Sequence, residues 1–139
     1  MVYEFELVEA SDVQTEILYD LLGQRIHTIS HSEIQNYEIH RKFVKSHPYR
    51  KWYLVKIEAE YVGSIYVKND NSIGLNLNYI NKVIVQSCID FVRQNLIPMR
   101  PTASMVPEYF YINVAATNND LIKTMSELFV PQIQISFKI

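Results

Sequence analysis

Trp52–Ile57, Tyr61–Val67 and Ser72–Asn78 read WYLVKI, YVGSIYV and SIGLNLN. Each run is rich in β-branched, aromatic or other apolar residues, and only short polar links, at residues 58–60 and 68–71, separate the runs. Links this short can join antiparallel strands, whereas parallel strands need a crossover of about a dozen residues or more. The stretch therefore predicts a three-stranded antiparallel meander, which decides the class of fold.

Further elements are predicted before this meander. Val2 to Val8 alternates apolar and polar side chains as a strand does, and Ser11 with Gln14 three positions later has the pattern of a helix capping box. Gly23 stands where a left-handed residue would end that helix. A second helix is predicted to start after Ser32 and to end before Pro48, because the residue before a proline is disfavoured in a helix.

After the meander, apolar residues recur at helical spacing from Ile80 to Phe91, and a proline-bearing loop follows from Leu96 to Glu108. Tyr109 to Val114 then has the pattern of a strand, Asn118 that of a helix cap, and Gln132 to Lys138 that of a last strand. The predicted order is β-α-α-β-β-β-α-β-α-β. This order predicts an α/β (α+β) domain with a mixed sheet.

The composition indicates an ordinary globular domain. Of the 139 residues 48% are hydrophobic and 20% are charged, and this length predicts a single domain over residues 1–139. The net charge of −2 argues against nucleic acid as a partner, and no apolar run approaches the ~20 residues of a membrane-spanning helix. With one cysteine and no signal-peptide pattern at the N-terminus, we expect a cytoplasmic protein with no membrane partner.

Three parts of the sequence resemble one family of proteins. They are His40 to Val55, the strand patterns at 61–67 and 71–75, and NVAATN (113–118), which looks like an Asn-(Ile/Val)-x-x-x-Asn segment. These segments and the predicted order of elements resemble the GCN5-related N-acetyltransferase (GNAT) family. The resemblance is to bacterial members that acylate amino-sugars in particular. The resemblance implies the GNAT fold and transfer of an acetyl group from acetyl-CoA to a small amine, such as an amino-sugar nucleotide.

The resemblance also implies where acetyl-CoA, the co-substrate, would bind. In the family a glycine-rich loop after the fourth strand binds the pyrophosphate with its N–H groups and the next helix N-terminus. Here that loop reads LNYINKV (77–83), without glycine. Asn78 or Asn81 could adopt a left-handed conformation at some cost, so binding would be either weakened or lost. The implied cofactor-binding residues are Leu75, Leu77, Asn78, Tyr79, Ile80, Asn81, Lys82, Asn113 and Asn118.

A second departure concerns the proton for the leaving thiolate. Many relatives carry a tyrosine for this purpose in the helix after Asn118, and by register that position is near Met125, whose thioether cannot transfer a proton. The family's Gly-Phe after this helix appears as Phe129-Val130. These departures leave a second function open, a non-catalytic binding or assembly module that has kept the fold and lost acyl-CoA binding.

Several side chains are candidates for the acceptor side. His40 and His47 could act as general base because an imidazole titrates near neutral pH, or could instead be exposed or capping histidines. The aromatic candidates could stack on a sugar or nucleotide ring, or could pack in the core and at strand edges instead. These substrate-binding candidates are Tyr37, Trp52, Tyr53 and Tyr66.

Two closely spaced histidines, the single cysteine and the last predicted strand lead to three further expectations. His27 and His31 have the spacing of two ligands on one helix face, but no third ligand is nearby in sequence, so no metal site is expected. Cys88 lies on the apolar stripe of its helix and is expected to be a small buried hydrophobe. The last strand, 132–139, could leave an edge that pairs across a two-fold axis, which predicts a homodimer.

Overall fold

The computed structural model describes residues 2–24 and 36–139. Its elements, in chain order, are β1 (Tyr3–Leu7), α1 (Asp12–Gly23), α2 (Tyr37–Lys45), β2 (Lys51–Ile57), β3 (Glu60–Val67), β4 (Ser72–Leu77), α3 (Lys82–Asn95), β5 (Tyr111–Ile112) and α4 (Asn119–Glu127). The five strands form one sheet in the order β1-β2-β3-β4-β5, with β4 and β5 parallel and the other pairs antiparallel. The predicted mixed α/β architecture is therefore confirmed.

The meander of β2, β3 and β4 forms as predicted. Glu58 and Ala59 join β2 to β3 with φ angles of 49° and 67°. Two consecutive left-handed residues characterise the type I′ turn, whose twist matches that of the flanking strands. Asn71, with φ 71°, leads the chain into β4.

Side chains alternate between the two faces of the sheet and build two cores. The smaller core lies between the sheet and helices α1 and α2. Its buried residues are Val8, Leu18, Leu21, Val44, Trp52 and Leu54. The larger core lies against α3 and α4 and includes Val55, Ile65, Ile73, Ile84, Cys88 and Leu121. Adjacent residues of one strand therefore contact different helices, and Cys88 is buried as predicted.

The predicted start of α1 is confirmed and the helix ends at Gly23, but the predicted left-handed conformation of Gly23 is wrong. Ser11 Oγ accepts a hydrogen bond from Gln14 N at 3.1 Å, while the Gln14 side chain reaches back to Glu9 N at 2.8 Å. Gly23 is not left-handed. Gln24 ends the helix in the right-handed region at φ −92°, where its N–H satisfies carbonyls of the last turn and no positive φ is needed.

α2 begins after Asn36, whose side chain accepts from Ile39 N at 2.9 Å. The helix ends before Pro48, as predicted. The predicted start after residue 32, and the paired histidines His27 and His31, lie outside the described residues. Over residues 2–24 and 36–139 no cluster of three metal-binding side chains occurs, and no helix is long and apolar enough to span a membrane.

The loop between α3 and β5 is held by the buried side chain of Asn71. Its Nδ2 donates to Met99 O at 3.1 Å and to Pro107 O at 2.9 Å, and its Oδ1 accepts from Met99 N at 2.6 Å. The loop has no regular element apart from a bridge between Thr102 and Val106. A long loop was predicted here, and the strand after it is shorter than predicted because only Tyr111–Ile112 pairs with β4.

The predicted last strand, Gln132 to Lys138, does not form. No main-chain hydrogen bond within the described residues involves this segment, and the side chains of Ile133, Ile135 and Phe137 are 57%, 67% and 81% exposed. The alternation of apolar and polar residues is present, but a strand is stable only when another strand pairs with its main chain. The described part of the chain supplies no such partner, so the predicted strand is wrong for this structure.

Candidate functional site

The parallel strands β4 and β5 separate soon after they meet. Their ladder consists of two pairs, Ser72 with Tyr111 and Ile73 with Ile112, and a last hydrogen bond runs from Asn113 N to Ile73 O at 3.3 Å. Beyond this point β4 pairs with β3 alone among the strands of residues 2–24 and 36–139. A gap therefore opens beside the second half of β4.

Main-chain groups of Leu75 and Leu77 point into this gap. The N–H and C=O groups of successive strand residues point to opposite sides. Lys68 N bonds to Ser72 O at 2.9 Å, so the even-numbered residues of β4 direct these groups toward β3. The odd-numbered residues direct theirs toward β5, as Ile73 does. Leu75 and Leu77 thus present hydrogen-bonding groups to an open strand edge.

The turn from β4 into α3 contains its own helix cap. Asn81 Oδ1 accepts from Ile84 N at 2.9 Å, and Asn81 is extended at φ −149°. Asn78 is not left-handed either. Neither asparagine therefore adopts the left-handed conformation that was considered for it; for Asn81 the reason is that an N-cap needs extended backbone. The cap leaves the first N–H groups of α3, those of Lys82 and Val83, without an intrahelical partner.

Lys82 adds a positive charge at this end of α3. Its Nζ lies 3.4 Å from Glu127 Oε2 on α4, and 58% of its side chain remains exposed. Lys123 shares the same carboxylate at 3.9 Å. The ammonium of Lys82 and the positive end of the helix dipole together favour an anion at this end of the gap. Tyr79, in the same turn, is 44% exposed, whereas Ile80 packs against the larger core.

The other asparagines assigned to the cofactor have structural contacts. Asn118 Oδ1 accepts from Leu121 N at 3.3 Å and caps α4, as the helix-cap alternative predicted. Asn78 Nδ2 donates to Gln24 Oε1 at 2.6 Å and ties the end of β4 to the end of α1. Asn113 is exposed where the strands separate. Contact of these three residues with a cofactor stays a prediction.

The position where relatives carry a tyrosine is buried. Met125 is 9% exposed and packs in the core beneath α4, so this side chain can neither donate a proton nor reach solvent. Tyr111 on β5 lies where β4 begins, at the end away from the gap. Burial, and then the charge of Asp70, raise the pKa of Tyr111. Neither residue is placed to protonate a thiolate in the gap.

His40 is buried between α1 and α2. Its Nε2 lies 3.3 Å from Thr15 O, and its ring packs against Tyr19 at a centroid distance of 5.1 Å. With Nε2–H donating to the carbonyl, the lone pair of the neutral ring is on Nδ1. Burial lowers the pKa of His40, and the bond to Thr15 opposes this effect. His40 thus contributes to helix packing, and its role as a base stays a prediction.

His47 is half-buried beside Trp52. Its Nδ1 accepts from Tyr49 N at 3.2 Å, and burial lowers its pKa. The neutral ring must then carry its proton on Nε2, because the Nδ1 lone pair is already used. As a general base His47 would have to give up the bond to Tyr49, and this role also stays a prediction.

Two of the four predicted aromatic residues lie together. Trp52 and Tyr66 are cross-strand neighbours on the sheet face beneath α1 and α2. Tyr66 also stacks on Tyr49, with ring centroids 4.1 Å apart and an angle of 6° between the planes. Trp52 Nε1 is buried and has no hydrogen-bond partner among residues 2–24 and 36–139.

The other two predicted aromatic residues, Tyr53 and Tyr37, lie apart from this pair. Tyr53 is on the opposite face of the sheet and packs edge-on against Phe91 at 4.8 Å. Tyr37, at the start of α2, packs edge-on against Tyr19 at 5.2 Å. The structure therefore does not assemble the four side chains into one stacking platform, because the alternation along β2 separates Tyr53 from its neighbour in sequence.

Sequence reasoning missed Tyr49 and Asn71. Tyr49 lies in a loop, where no periodicity marks it, although its place directly after Pro48 and close to Trp52 in sequence was a signal of local packing. Asn71 resembles any turn asparagine in sequence, and its three hydrogen bonds reach a loop some thirty residues away. Such contacts depend on the tertiary structure.

No family model and no curated protein matches the sequence. Solved structures match it over its whole length. A protein described as a possible acetyltransferase from Clostridium difficile 630 has a TM-score of 0.58 and 12% identity, and the match covers 100% of this chain and 97% of that chain. An aminoglycoside acetyltransferase from an uncultured soil metagenomic sample, in complex with sisomicin, has a TM-score of 0.57 and 13% identity over 99% of this chain and 94% of that chain.

This chain has the GNAT acetyltransferase fold. A further aminoglycoside acetyltransferase from an uncultured soil metagenomic sample has a TM-score of 0.55 and 13% identity, covering 100% of this chain and 98% of that chain. The GNAT fold expected from the element order and the three segments is thereby confirmed. At these identities the similarity shows the fold alone, and a fold by itself does not set a substrate.

Proposed function

We propose that this protein is an acyl-CoA-dependent N-acetyltransferase that acts on a small amine, such as an amino-sugar nucleotide. The observation that carries this proposal is the gap beside β4, into which Leu75 and Leu77 direct main-chain N–H and C=O groups. An open strand edge can bind an extended, amide-bearing chain by hydrogen bonding as an added strand would. The pantetheine arm of acetyl-CoA is such a chain, and the acetyltransferase neighbours have the same fold.

Acyl transfer requires little from side chains at such a site. The free amine attacks the thioester carbon, the carbon–sulfur bond breaks, and the amine proton is lost as the thiolate leaves. Main-chain N–H groups directed into the gap would stabilise the developing oxyanion, because they are already oriented and need no reorganisation. His40 and His47 are the proposed bases, each limited by the contacts described above, and a chain of water molecules could serve in their place.

The end of α3 fits the pyrophosphate of the same co-substrate. The N–H groups of Lys82 and Val83 and the ammonium of Lys82 provide donors and positive charge. Because Asn81 already occupies the Ile84 N–H, fewer donors remain than in a glycine-rich loop. We therefore expect acetyl-CoA to bind more weakly than it does to such a loop.

The alternative, a non-catalytic binding or assembly module, is motivated by the glycine-free turn and by Met125. The acetyltransferase neighbours do not favour it. It predicts that no thiol is released with any amine.

Calorimetric titration with acetyl-CoA and with CoA, a thermal-shift series and a thiol-release assay over a panel of small amines test the proposal. Binding would stabilise the protein by about 2.7 kcal/mol at a ligand concentration one hundred times the dissociation constant. Turnover should fall in parallel with affinity in a Lys82→Ala variant, whereas activity from a contaminating transferase would not. No heat, no shift and no thiol release at saturating ligand would reject the proposal.

A further inference from the structure

The side chain of Asn76, in the second half of β4, lies beside the gap. The Cβ direction of Gly74 points at the ring of Tyr66, which packs against the smaller core beneath α1 and α2. Side chains two residues apart share a face of the sheet, so Asn76 lies on this face as well. Asn76 is half-buried, and its side chain makes no hydrogen bond within residues 2–24 and 36–139. The sequence analysis assigned its two neighbours in β4 to the co-substrate and passed over Asn76 itself.

The other even-numbered residues in this row are already engaged or have no side chain. Ser72 Oγ donates to a carboxylate in the turn before β4, and Asn78 Nδ2 donates to the end of α1, each at 2.6 Å. Gly74 has no side chain. Within the described part of β4 and the turn after it, the amide of Asn76 is therefore the one polar group of this row that is available to a ligand.

The larger core closes the opposite face of the gap. The side chains of Leu75 and Leu77 lie on that face, where Leu75 belongs to the core shared with α3 and α4 and Leu77 packs against it. A co-substrate along the open edge of β4 would therefore meet an acceptor from the α1/α2 face. Ser64, the cross-strand neighbour of Asn76, is 5% exposed and adds a hydroxyl on that face.

We propose that Asn76 binds the amine of the acceptor and orients its nitrogen toward the thioester carbon. This inference rests on the proposed acetyltransferase function. With the pyrophosphate at the start of α3, the pantetheine arm would run back along β4 toward the closed end of the gap. The thioester would then lie near Leu75, and Asn76 is the next residue of the strand.

An amide suits this role, although it cannot act as a base. Asn76 Oδ1 would accept a hydrogen bond from the amine N–H and leave the nitrogen lone pair free for attack. As the nitrogen–carbon bond forms, the nitrogen gains positive charge. Its proton then passes to a base or to water, the carbon–sulfur bond breaks, and the thiolate leaves with the electron pair. Because a charged donor forms the stronger hydrogen bond, the contact would stabilise the transition state more than the bound amine.

Thiol-release kinetics over the panel of small amines, with glucosamine as its amino-sugar member, test the inference together with calorimetric titration of acetyl-CoA. For the amine acetylated fastest, Asn76→Ala should lower kcat/KM by about ten- to a hundredfold, the effect of one hydrogen bond to a charged group. Kd for acetyl-CoA should not change. Asn95→Ala, at an exposed asparagine at the far end of α3, is the matched control and should change neither quantity.

Asn76→Asp separates this role from a structural one. Its carboxylate keeps an acceptor oxygen, so at high pH the variant should be more active than Asn76→Ala. The negative charge favours the ammonium form of the bound amine and raises the pKa of that amine. The rising limb of kcat against pH should therefore shift to higher pH.

Three results would overturn the inference alone: unchanged kcat/KM in Asn76→Ala, a loss of acetyl-CoA affinity in the same proportion as activity, or a pH profile of Asn76→Asp identical to that of the unaltered protein. If the unaltered protein neither binds acetyl-CoA nor releases thiol, the proposed function is rejected and this inference with it.

Discussion

The ring of Tyr66 lies on the main chain of its cross-strand neighbour Gly74, and a Cβ on Gly74 would stand 2.0 Å from Tyr66 Cζ. On its other face the ring stacks on Tyr49 at a centroid distance of 4.1 Å. The ring is therefore held between the strand and a second ring. Gly74 is required here for space, since its φ is not left-handed.

Gly74→Ala should lower the free energy of unfolding by about 1–3 kcal/mol, because the added methyl forces the Tyr66 ring off its stack. Gly23→Ala is the matched control: nothing lies within 4 Å of its Cβ position, and we expect stabilisation of about 0.4–1 kcal/mol. Urea unfolding measures both. In a Tyr66→Leu background the cost of Gly74→Ala should shrink, and strictly additive costs would contradict this explanation.

Asn71 combines a left-handed backbone with a buried, fully used side chain. Asn71→Ala should destabilise the fold by about 2–4 kcal/mol, because it removes three hydrogen bonds and leaves Met99 N without its acceptor. Asn71→Gly loses the same bonds but tolerates φ 71°, so we expect it to be less destabilised than the alanine variant by about 1 kcal/mol. Urea unfolding measures the free energy of unfolding of both variants. Equal losses of stability in the two would show that the left-handed backbone of Asn71 carries no strain.

Lys82 and Lys123 both pair with Glu127, but only Lys82 lies at the start of α3. If acetyl-CoA binds as proposed, Lys82→Ala should weaken its binding by about three- to tenfold, through loss of one charge near the pyrophosphate, on the order of 1 kcal/mol. Lys123→Ala should leave the dissociation constant unchanged. Titration calorimetry at low and high salt measures both. An equal effect of the two substitutions would place the phosphates elsewhere.

The pH dependence of stability should report His40. Burial lowers its pKa in the folded state, whereas in the unfolded chain it is about 6.5. The unfolded chain therefore binds more protons below that pH, so the contribution of His40 is present above about pH 6.5 and is lost as the pH falls. The slope reaches at most about 1.4 kcal/mol per pH unit.

His40→Gln is the variant that isolates this effect, because its amide can still donate to Thr15 O and cannot titrate. We expect its free energy of unfolding to fall less steeply than that of the unaltered protein between pH 7 and pH 5, by roughly the contribution of one proton. Urea unfolding at several pH values provides the curves. Parallel curves would mean that His40 keeps its ordinary pKa.

Local signals in the sequence were sufficient for most elements. The meander followed from strand runs with links too short for a crossover, and the starts of α1 and α4 followed from Ser11 and Asn118, since a cap needs only residues within the same turn. The left-handed end at Gly23 failed because a second local solution, closure by Gln24, satisfies the same carbonyls. Local sequence signals cannot decide between these two ways of ending the helix, because both satisfy the carbonyls of its last turn.

The candidate site depended on relations between distant residues. The sequence suggested Leu75 and Leu77, but the gap beside them exists because β4 and β5 separate after Ile73. That His40 is buried against α1, and that Trp52 and Tyr53 lie on opposite faces, followed from the packing of helices on a sheet.

The sequence by itself determined which segments are suited to strands and helices, because propensity, caps and periodicity act over a few neighbouring residues. Only the tertiary structure decided which of these elements find partners. Residues 132–138 show the difference most clearly: their alternation is complete, but a strand needs hydrogen bonds from another main chain, and the described fold provides none to them.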